Sequence, residues 1–288
     1  MRLYVHMGLH KTASTYLQHL MNDNHEALLE RGVYYQKQAG YPAHHEAAWT
    51  MLRGDMAPLT SMLETARQLG CHTTILSSED LEGIIFDPGT VTAIEDAARA
   101  AGVEQIEWHM CLRDAGEYYS SLHAQLQYHV FSGALELFYA VMRDGMVLIP
   151  DPLRGGPGTP YWGFCFDHAR YISEFAERTT HPLIVHDYTD GDPFPAWRML
   201  DRLDALGAIR DLPPASARNA RLDAGAVVQG HRERLEDVIP QELLKSKTSA
   251  MLRDRIKKDV AIVPDLAAIV SARFAASTAE TLAKFSRP

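Results

Sequence analysis

A short polar loop near the N-terminus most constrains what this chain can fold into. Alternating apolar residues run from Arg2 into Gly8, which predicts a buried strand that ends in a turn. From Leu17 onward, apolar residues recur at helical spacing until Gly32. A loop that enters a helix directs unpaired backbone N–H groups and the positive end of the helix dipole outward, which suits a phosphate. The sequence therefore predicts an anion-binding loop over residues 8–15.

The side chains of this loop fit the same interpretation. Gly8 lets the backbone turn closely, and Lys11 adds a full positive charge. Nucleotide triphosphatases use G-x-x-x-x-G-K-[ST], whereas this loop lacks the second glycine and has His10 directly before Lys11, so an ordinary ATP or GTP loop is disfavoured. The alternative is a solvated lysine beside hydroxyls that merely cap a helix. The loop's hydroxyl side chains are Thr12, Ser14 and Thr15.

Strands and helices alternate along most of the chain. Further strands are predicted at 33–35, 73–76, 105–112 and 183–186, and further helices at 43–69 with a break near Gly54 and Pro58, at 91–101, through 118–126, at 171–177 and at 196–206. This order predicts an α/β fold, a three-layer sandwich with a central parallel sheet. The sequence beyond Pro213 is helical in pattern, so we expect one domain over 1–288, with an α/β core at 1–212 and a helical C-terminal extension at 213–288.

Polar residues follow two further predicted strands at the point where each strand ends. Glu79 and Asp80 come after the third strand, and Arg113 comes after the fourth. Ligands of open parallel sheets bind at the carboxyl ends of the strands. We therefore expect these residues to lie beside the phosphate loop.

The loop resembles the 5'-phosphosulfate loop of the sulfotransferases that use 3'-phosphoadenosine-5'-phosphosulfate (PAPS), particularly the bacterial and carbohydrate-type members. Their start follows H-x-G-x-x-K-[ST]-[GA]-[ST]-T-x-L-Q. The matching residues here are His6, Gly8, Lys11, Thr12, Ala13, Ser14, Thr15, Leu17 and Gln18. The resemblance implies a P-loop NTPase-like fold in which Lys11 contacts the bridging and sulfuryl oxygens, while Thr12 to Thr15 hold the 5'-phosphate. His10 is close enough to Lys11 in sequence to share its role. Ala13 stands where many relatives have glycine.

A second pair of residues extends the resemblance. In the same family an Arg at a strand end and a Ser eight residues later bind the 3'-phosphate, and Arg113 and Ser121 have this spacing. An Arg fork suits a phosphate dianion, and a hydroxyl two helical turns along lies on the same side. The proline that usually follows Arg-Asp is replaced by Ala115, and the alternative is an ion-pairing arginine with an ordinary helix serine. The stretch from Arg218 to Leu222 is a weaker candidate for the 3'-phosphate or adenine, since an exposed basic turn explains it equally.

Sulfuryl transfer needs a base for the proton of the acceptor, and the sequence offers two candidates. Glu79 is the first, because a carboxylate has a comparable place in some relatives. In the alternative interpretation, Ser77-x-x-Asp80 caps the next helix and Glu79 only favours its dipole. His45, beside His44, is the competitor because a histidine titrates near neutral pH. The resemblance implies no metal.

Several aromatic residues are candidates for a sugar or aryl pocket, although ordinary core packing explains their spacing more simply. They are Tyr34, Tyr35, Tyr118, Tyr119, Tyr128 and Trp162.

Composition restricts the partners. The chain has 37 acidic against 28 Lys and Arg residues, so it lacks the global basic field that binds nucleic acid or anionic lipid. No charged and apolar leader precedes the first strand, and no apolar run has the length of a membrane span, which favours a cytoplasmic protein. The three cysteines are widely spaced and suit neither a disulfide framework nor a zinc cluster.

The leading hypothesis is a sulfotransferase that moves the sulfuryl group of PAPS to a hydroxyl or amine of a small-molecule, glycan or lipid acceptor and releases adenosine 3',5'-bisphosphate (PAP). One alternative is an ATP-dependent small-molecule kinase, with Asp80 or Asp114 as the magnesium ligand. The other is a non-catalytic nucleotide-binding scaffold. The sequence does not indicate the oligomeric state.

Overall fold

A computed structural model describes residues 1–126, 133–150, 161–210 and 222–286. By their contacts the residues form two compact units. Unit 1 comprises 1–113, 146–219 and 276–288, and unit 2 comprises 114–145 and 220–275. Tyr128 and the candidate basic residues Arg218 and Arg221 lie outside the described residues.

Unit 1 contains a five-stranded sheet and a separate hairpin. Its strands are β1 (Arg2–Gly8), β2 (Val33–Tyr35), β3 (Thr73–Ser77), β4 (Gln105–Leu112), β5 (Met146–Pro150), β6 (Tyr161–Cys165) and β7 (Leu183–Asp187). Its helices are α1 (Ser14–Asp23), α2 (His25–Leu29), α3 (His45–Leu52), α4 (Ala57–Gln68), α5 (Pro88–Ala100), α8 (His168–Arg178) and α9 (Trp197–Arg202), with 3₁₀ helices at Glu79–Phe86 and Leu206–Ala208.

The five strands of the main sheet are all parallel, in the order β2-β3-β1-β4-β7. Strand β1 lies between β3 and β4, with His6 paired to Ser77 on one side and to His109 on the other. The prediction of an α/β fold with a central parallel sheet is confirmed. The chain leaves three adjacent strands at one edge, so the segments after β1, β3 and β4 meet there.

Alternation along β1 divides the core between the two faces of the sheet. Leu3, Val5 and Met7 pack in one apolar cluster with residues of α4, α5 and α8. Tyr4 belongs to a second cluster with residues of α1 and α9. Successive side chains of a strand point to opposite faces, so helices cover the sheet on both sides.

The structure differs from the predicted elements in places where local capping or pairing decides the boundary. Helix α5 begins at Pro88 rather than 91, because the Asp87 carboxylate accepts hydrogen bonds from the N–H groups of Gly89 and Thr90. The predicted helix 196–206 ends at Arg202, and Asp204 follows with a φ of 53°. The antiparallel pairing of β5 with β6 was not predicted, since it joins segments on either side of a Gly- and Pro-rich stretch, 151–160, that lies outside the described residues.

Unit 2 is helical. It contains α6 (Ala115–Leu126), α7 (Ala134–Asp144), α10 (Ala224–Val238), a 3₁₀ turn at Gln241–Leu243, α11 (Lys247–Ala261) and the first part of α12 (Val263–Phe285). Ala124, Val227 and Val260 form a small apolar cluster within it. The rest of α12, from residue 276, belongs to unit 1. The expectation of one domain divided at residue 212 stays a prediction.

One helical stretch, Lys247–Phe285, is long and apolar enough to cross a bilayer by length and composition alone, with a mean hydropathy of 1.5 over its most apolar window. Twenty-eight per cent of that window is buried in the protein. Core helices pass the same test, so one such stretch among the described residues is weak evidence for a membrane span.

Candidate functional site

The loop between β1 and α1 has an unusual backbone. Gly8, Lys11 and Ala13 all have positive φ angles, of 77°, 64° and 63°. A Cβ at Gly8 would lie 2.9 Å from the Cβ of Glu79, so only glycine allows this approach of the loop to the end of β3. Left-handed conformations are costly for residues other than glycine, and such strain is concentrated at functional sites. Ala13 stands at one of these positions, where the left-handed backbone favours glycine.

The hydroxyls of the loop have three different environments. Thr12 donates a 2.6 Å hydrogen bond to the carbonyl of Leu9, so its side chain stiffens the loop. Thr15 Oγ1 lies 2.6 Å from the Tyr41 hydroxyl. Ser14 is buried, and its Oγ has no hydrogen-bond partner among the described residues. An unpaired buried hydroxyl is costly, so Ser14 is a candidate ligand-binding group.

Two cationic side chains lie at the loop. Lys11 is half-buried and forms no salt bridge with a described residue. Burial lowers its pKa, opposed by the charge of Glu79 and assisted by that of Arg113. Arg113, directly after β4, donates a 3.2 Å hydrogen bond to the Lys11 carbonyl and stacks over the Tyr188 ring at 4.8 Å. The predicted proximity of Arg113 to the loop is confirmed.

His10 is directed into the protein by two carboxylates. Its backbone N–H and its Nδ1 lie 2.8 and 2.7 Å from Glu82 Oε2, and its Nε2 lies 3.3 Å from Asp80 Oδ1. Burial lowers the pKa of His10, but these two partners outweigh it and raise the pKa to about 10. His10 is therefore an imidazolium that holds the loop in place, and both of its ring nitrogens are engaged.

Asp80 also contacts helix α3. Its Oδ2 lies 2.8 Å from His45 Nδ1 and accepts a 2.5 Å hydrogen bond from Trp49 Nε1. Although burial raises it, the hydrogen bonds from His10 and His45 hold the pKa of Asp80 well below its usual range. Burial lowers the pKa of His45, but the hydrogen bond to Asp80 and the charges of Glu79 and Asp80 raise it overall. Asp80 thus joins the loop after β1 to His45.

Glu79 lies between the loop and His45. It accepts a 2.9 Å hydrogen bond from Gln18 Nε2, and its other oxygen is 3.9 Å from His45 Nε2. The predicted capping by Ser77 and Asp80 is wrong. The cap of the 3₁₀ helix is Ser78, whose Oγ accepts from the N–H of Asp80, so that the Asp80 carboxylate is turned toward the histidines instead.

His44 has a structural position. Its Nδ1 accepts from the N–H of Ser77 at 3.1 Å and its Nε2 lies 3.0 Å from the Gln36 carbonyl. Burial, with a smaller contribution from His45, lowers its pKa to about 4 in spite of the Gln36 hydrogen bond. His44 is therefore neutral and fully used in joining β3 to the segment after β2.

Further candidate residues belong to helix α6 or to the apolar core. Ser121 is buried in α6 of unit 2, where Asp114 accepts a 2.6 Å hydrogen bond from Ser271. The aromatics Tyr34, Tyr35, Tyr118 and Tyr119 are buried, as ordinary core packing predicts. Among the described residues, no group of three or more His, Cys, Asp or Glu side chains is arranged to hold a metal ion.

Sequence reasoning missed Glu82, Tyr41 and Trp49. Glu82 is fully buried, and its second oxygen accepts a 2.6 Å hydrogen bond from the N–H of Cys165 in β6. A carboxylate within the apolar run Leu81–Phe86 was the one available signal, because buried carboxylates need partners. Tyr41 and Trp49 gave no signal, since their role depends on contacts with His45 across a turn.

Comparison with protein-family models, with curated proteins and with solved structures gives no match to this chain.

Proposed function

We propose that this protein is a PAPS-dependent sulfotransferase with a P-loop NTPase-like site, acting on a hydroxyl or amine of a small acceptor. One observation carries the proposal. The segments after three adjacent parallel strands bring together a strained loop with Lys11, an arginine at its backbone, and the carboxylate Glu79. Cations, a close-approach glycine and a carboxylate at one edge are the groups that transfer of an anionic sulfuryl group requires.

The residues present fit the donor. Ser14 offers a buried hydroxyl that has no hydrogen-bond partner among the described residues. Lys11 offers an ammonium group that forms no salt bridge with any of these residues. Gly8 lets the loop approach Glu79 closely, because a Cβ there would lie 2.9 Å from the Glu79 Cβ. Bound PAPS would supply the sulfuryl group and a phosphate leaving group. We propose that Lys11, Thr12, Ala13, Ser14 and Thr15 hold its 5'-phosphosulfate, with His10 positioning the loop.

In the proposed reaction the acceptor oxygen or nitrogen attacks sulfur and forms the new bond. The bond between sulfur and the bridging phosphate oxygen breaks, and its electron pair stays on the 5'-phosphate of PAP. Lys11 neutralises charge on that oxygen, and its lowered pKa reflects a poorly solvated ammonium that gains from an anionic partner. The proton of the acceptor goes to the base.

Glu79 is the better candidate for this base. In spite of burial, the hydrogen bond to Asp80 and the charges of Glu79 and Asp80 raise the pKa of His45, which favours the charged form, and that form has no lone pair to accept a proton. Glu79 is a carboxylate 3.9 Å from His45 Nε2, so the imidazolium can orient it and stabilise its charge.

A kinase would need a carboxylate available for magnesium. The Asp80 carboxylate is already engaged by His10, His45 and Trp49, so a magnesium ion would have to displace three donors. This observation disfavours Asp80 as the magnesium ligand of a kinase.

Thermal unfolding with PAP or with ATP and magnesium tests the proposal. A ligand at about 100 times its Kd stabilises a protein by roughly 2.7 kcal/mol, so PAP should raise the Tm and ATP with magnesium should not. Lys11→Ala should remove the PAP shift, whereas Lys245→Ala, at an exposed lysine of unit 2, should retain it. A shift with ATP and magnesium alone would overturn the proposal in favour of a kinase, and a shift with neither would overturn nucleotide binding.

A further inference from the structure

Beside His45, unit 1 contains a cavity of about 600 Å³. Its walls are the segment after β2, the first turns of α3, and Pro58 and Ser61 of α4. Small-molecule sites have volumes of roughly 300–1,000 Å³, so the size suits a small ligand. Neither the phosphate loop nor Glu79 forms its walls, so the cavity is separate from the proposed donor site.

Three stacked rings form part of the wall of this cavity. His45 lies between Tyr41, with ring centroids 5.1 Å apart and planes at 22°, and Trp49, at 5.9 Å and 10°. The Asp80 carboxylate holds two of these rings in place, because its Oδ2 contacts His45 Nδ1 and accepts a hydrogen bond from Trp49 Nε1. The cavity therefore has a rigid aromatic side, which costs little conformational entropy when a ligand binds.

The same rings adjoin the phosphate loop. Tyr41 Oη lies 2.6 Å from Thr15 Oγ1, and His45 Nε2 lies 3.9 Å from Glu79. A molecule that enters the cavity and contacts His45 thus comes to the edge of the site proposed for sulfuryl transfer. This is the position that an acceptor would need.

The other lining groups indicate the chemistry of the ligand. Gln36, Gln38 and Ser61 carry amides and a hydroxyl, which are groups that pair with the hydroxyls of a ligand. The charge of His45 is balanced by Asp80 and Glu79. The carboxylate of Glu46 forms no salt bridge with a described residue, so it disfavours an anionic ligand.

We infer that this cavity is the acceptor site and that it takes an uncharged, polyhydroxylated ring compound, a glycoside, which packs against the Tyr41, His45 and Trp49 rings. The assignment of the glycoside as acceptor rests on the proposed function. Binding of the glycoside does not, because it depends only on the residues of the cavity.

Saturation-transfer NMR tests the site with two probes, methyl β-D-glucoside and methyl β-D-glucuronide, which differ by one carboxylate. The glucoside should bind at least about tenfold more tightly, a difference of roughly 1.4 kcal/mol. Glu46→Gln should reduce the difference in affinity between the glucoside and the glucuronide, because it removes the negative charge that repels the glucuronide carboxylate. Ser61→Trp, which fills the cavity from α4, should abolish glucoside binding, whereas Gln68→Trp, also exposed on α4 but outside the cavity, should retain it.

Gly40→Phe provides a second obstruction, from the segment after β2, since Gly40 lines the cavity and a Cβ there meets no atom within 4 Å. The inference is overturned if the glucoside fails to bind, if the glucuronide binds more tightly, or if both obstructing variants bind the glucoside normally. The Tm shift with PAP separates the two proposals. If the protein binds the glucoside and PAP does not shift its Tm, the glycoside site is supported and the proposal of PAPS as donor is overturned. If PAP shifts the Tm and the glucoside does not bind, the donor proposal is supported and the glycoside site is overturned.

Discussion

At the scale of single residues, the question is whether Glu79 or His45 takes the proton of the acceptor in the proposed reaction. If Glu79 is the base, Glu79→Gln should lower kcat by about 100-fold or more, because it keeps the size and the Gln18 contact but replaces the basic carboxylate by an amide, which is too weak a base to take the proton. The PAP-induced Tm shift should persist. Transfer of radiolabel from PAPS to the acceptor measures kcat.

Glu64→Gln is the matched control, at an exposed carboxylate of α4, and should keep full activity. Full activity in Glu79→Gln itself would move the role of base to His45. In that case His45→Gln should abolish turnover while cofactor binding remains.

The sequence predicts a site residue where the type of its side chain already indicates its chemistry. The lysine of the loop and the arginine after β4 stand out as cations at strand ends, and the structure does bring Arg113 to the Lys11 carbonyl. Tyr41 could not be found in this way. Its contacts with Thr15 and His45 arise from a turn whose path no local pattern encodes.

At the scale of elements, the His10 imidazolium joins the loop to the 3₁₀ helix Glu79–Phe86, and Glu82 continues the connection to β6. The folded-state pKa of His10 is about 10, above the 6.5 of a free histidine. Its pairing therefore contributes full stability below about pH 6.5, and this contribution is lost as the pH rises through 10. Asp80, with a lowered pKa, contributes above its ordinary pKa and loses that contribution only in acid.

His10→Gln should consequently destabilise the protein most between pH 5 and 6.5, and the difference from the wild type should shrink toward pH 10. Urea unfolding at several pH values measures it. His72→Gln, at an exposed histidine, should show no comparable trend. A His10→Gln deficit of constant size across this range would contradict the charged pairing.

The sequence predicts strands and helices well where a regular apolar pattern continues over many residues. Buried runs separated by helical segments predict the strands β1, β3, β4 and β7 and their parallel direction. The β5–β6 hairpin does not, because its pairing depends on partners that lie on either side of a long interruption rather than on a tight turn signal. The 3₁₀ helix after β3 was not predicted either, because a short buried apolar run is equally typical of a strand.

At the scale of the whole molecule, the end of the chain completes the unit that contains the phosphate loop. Ser277 of α12 accepts from the N–H of Ala169 at 2.8 Å and donates to Asp167 at 2.7 Å, at the start of α8. Leu282 and Phe285 pack against the apolar cluster that includes Trp108. Helical periodicity predicts α12 but cannot assign its two ends to different units, because that depends on contacts about 100 residues away along the chain.

Leu282→Ser should lower the free energy of unfolding of unit 1 by about 1–2 kcal/mol, because it removes a partly buried apolar side chain from that cluster. All four tryptophans, Trp49, Trp108, Trp162 and Trp197, belong to unit 1, so their fluorescence during urea unfolding reports on this unit. Ala283→Ser, at the exposed neighbouring position, should leave the transition unchanged. Equal midpoints for wild type and Leu282→Ser would mean that α12 does not stabilise the sheet, and that the α/β unit holds its phosphate loop without the end of the chain.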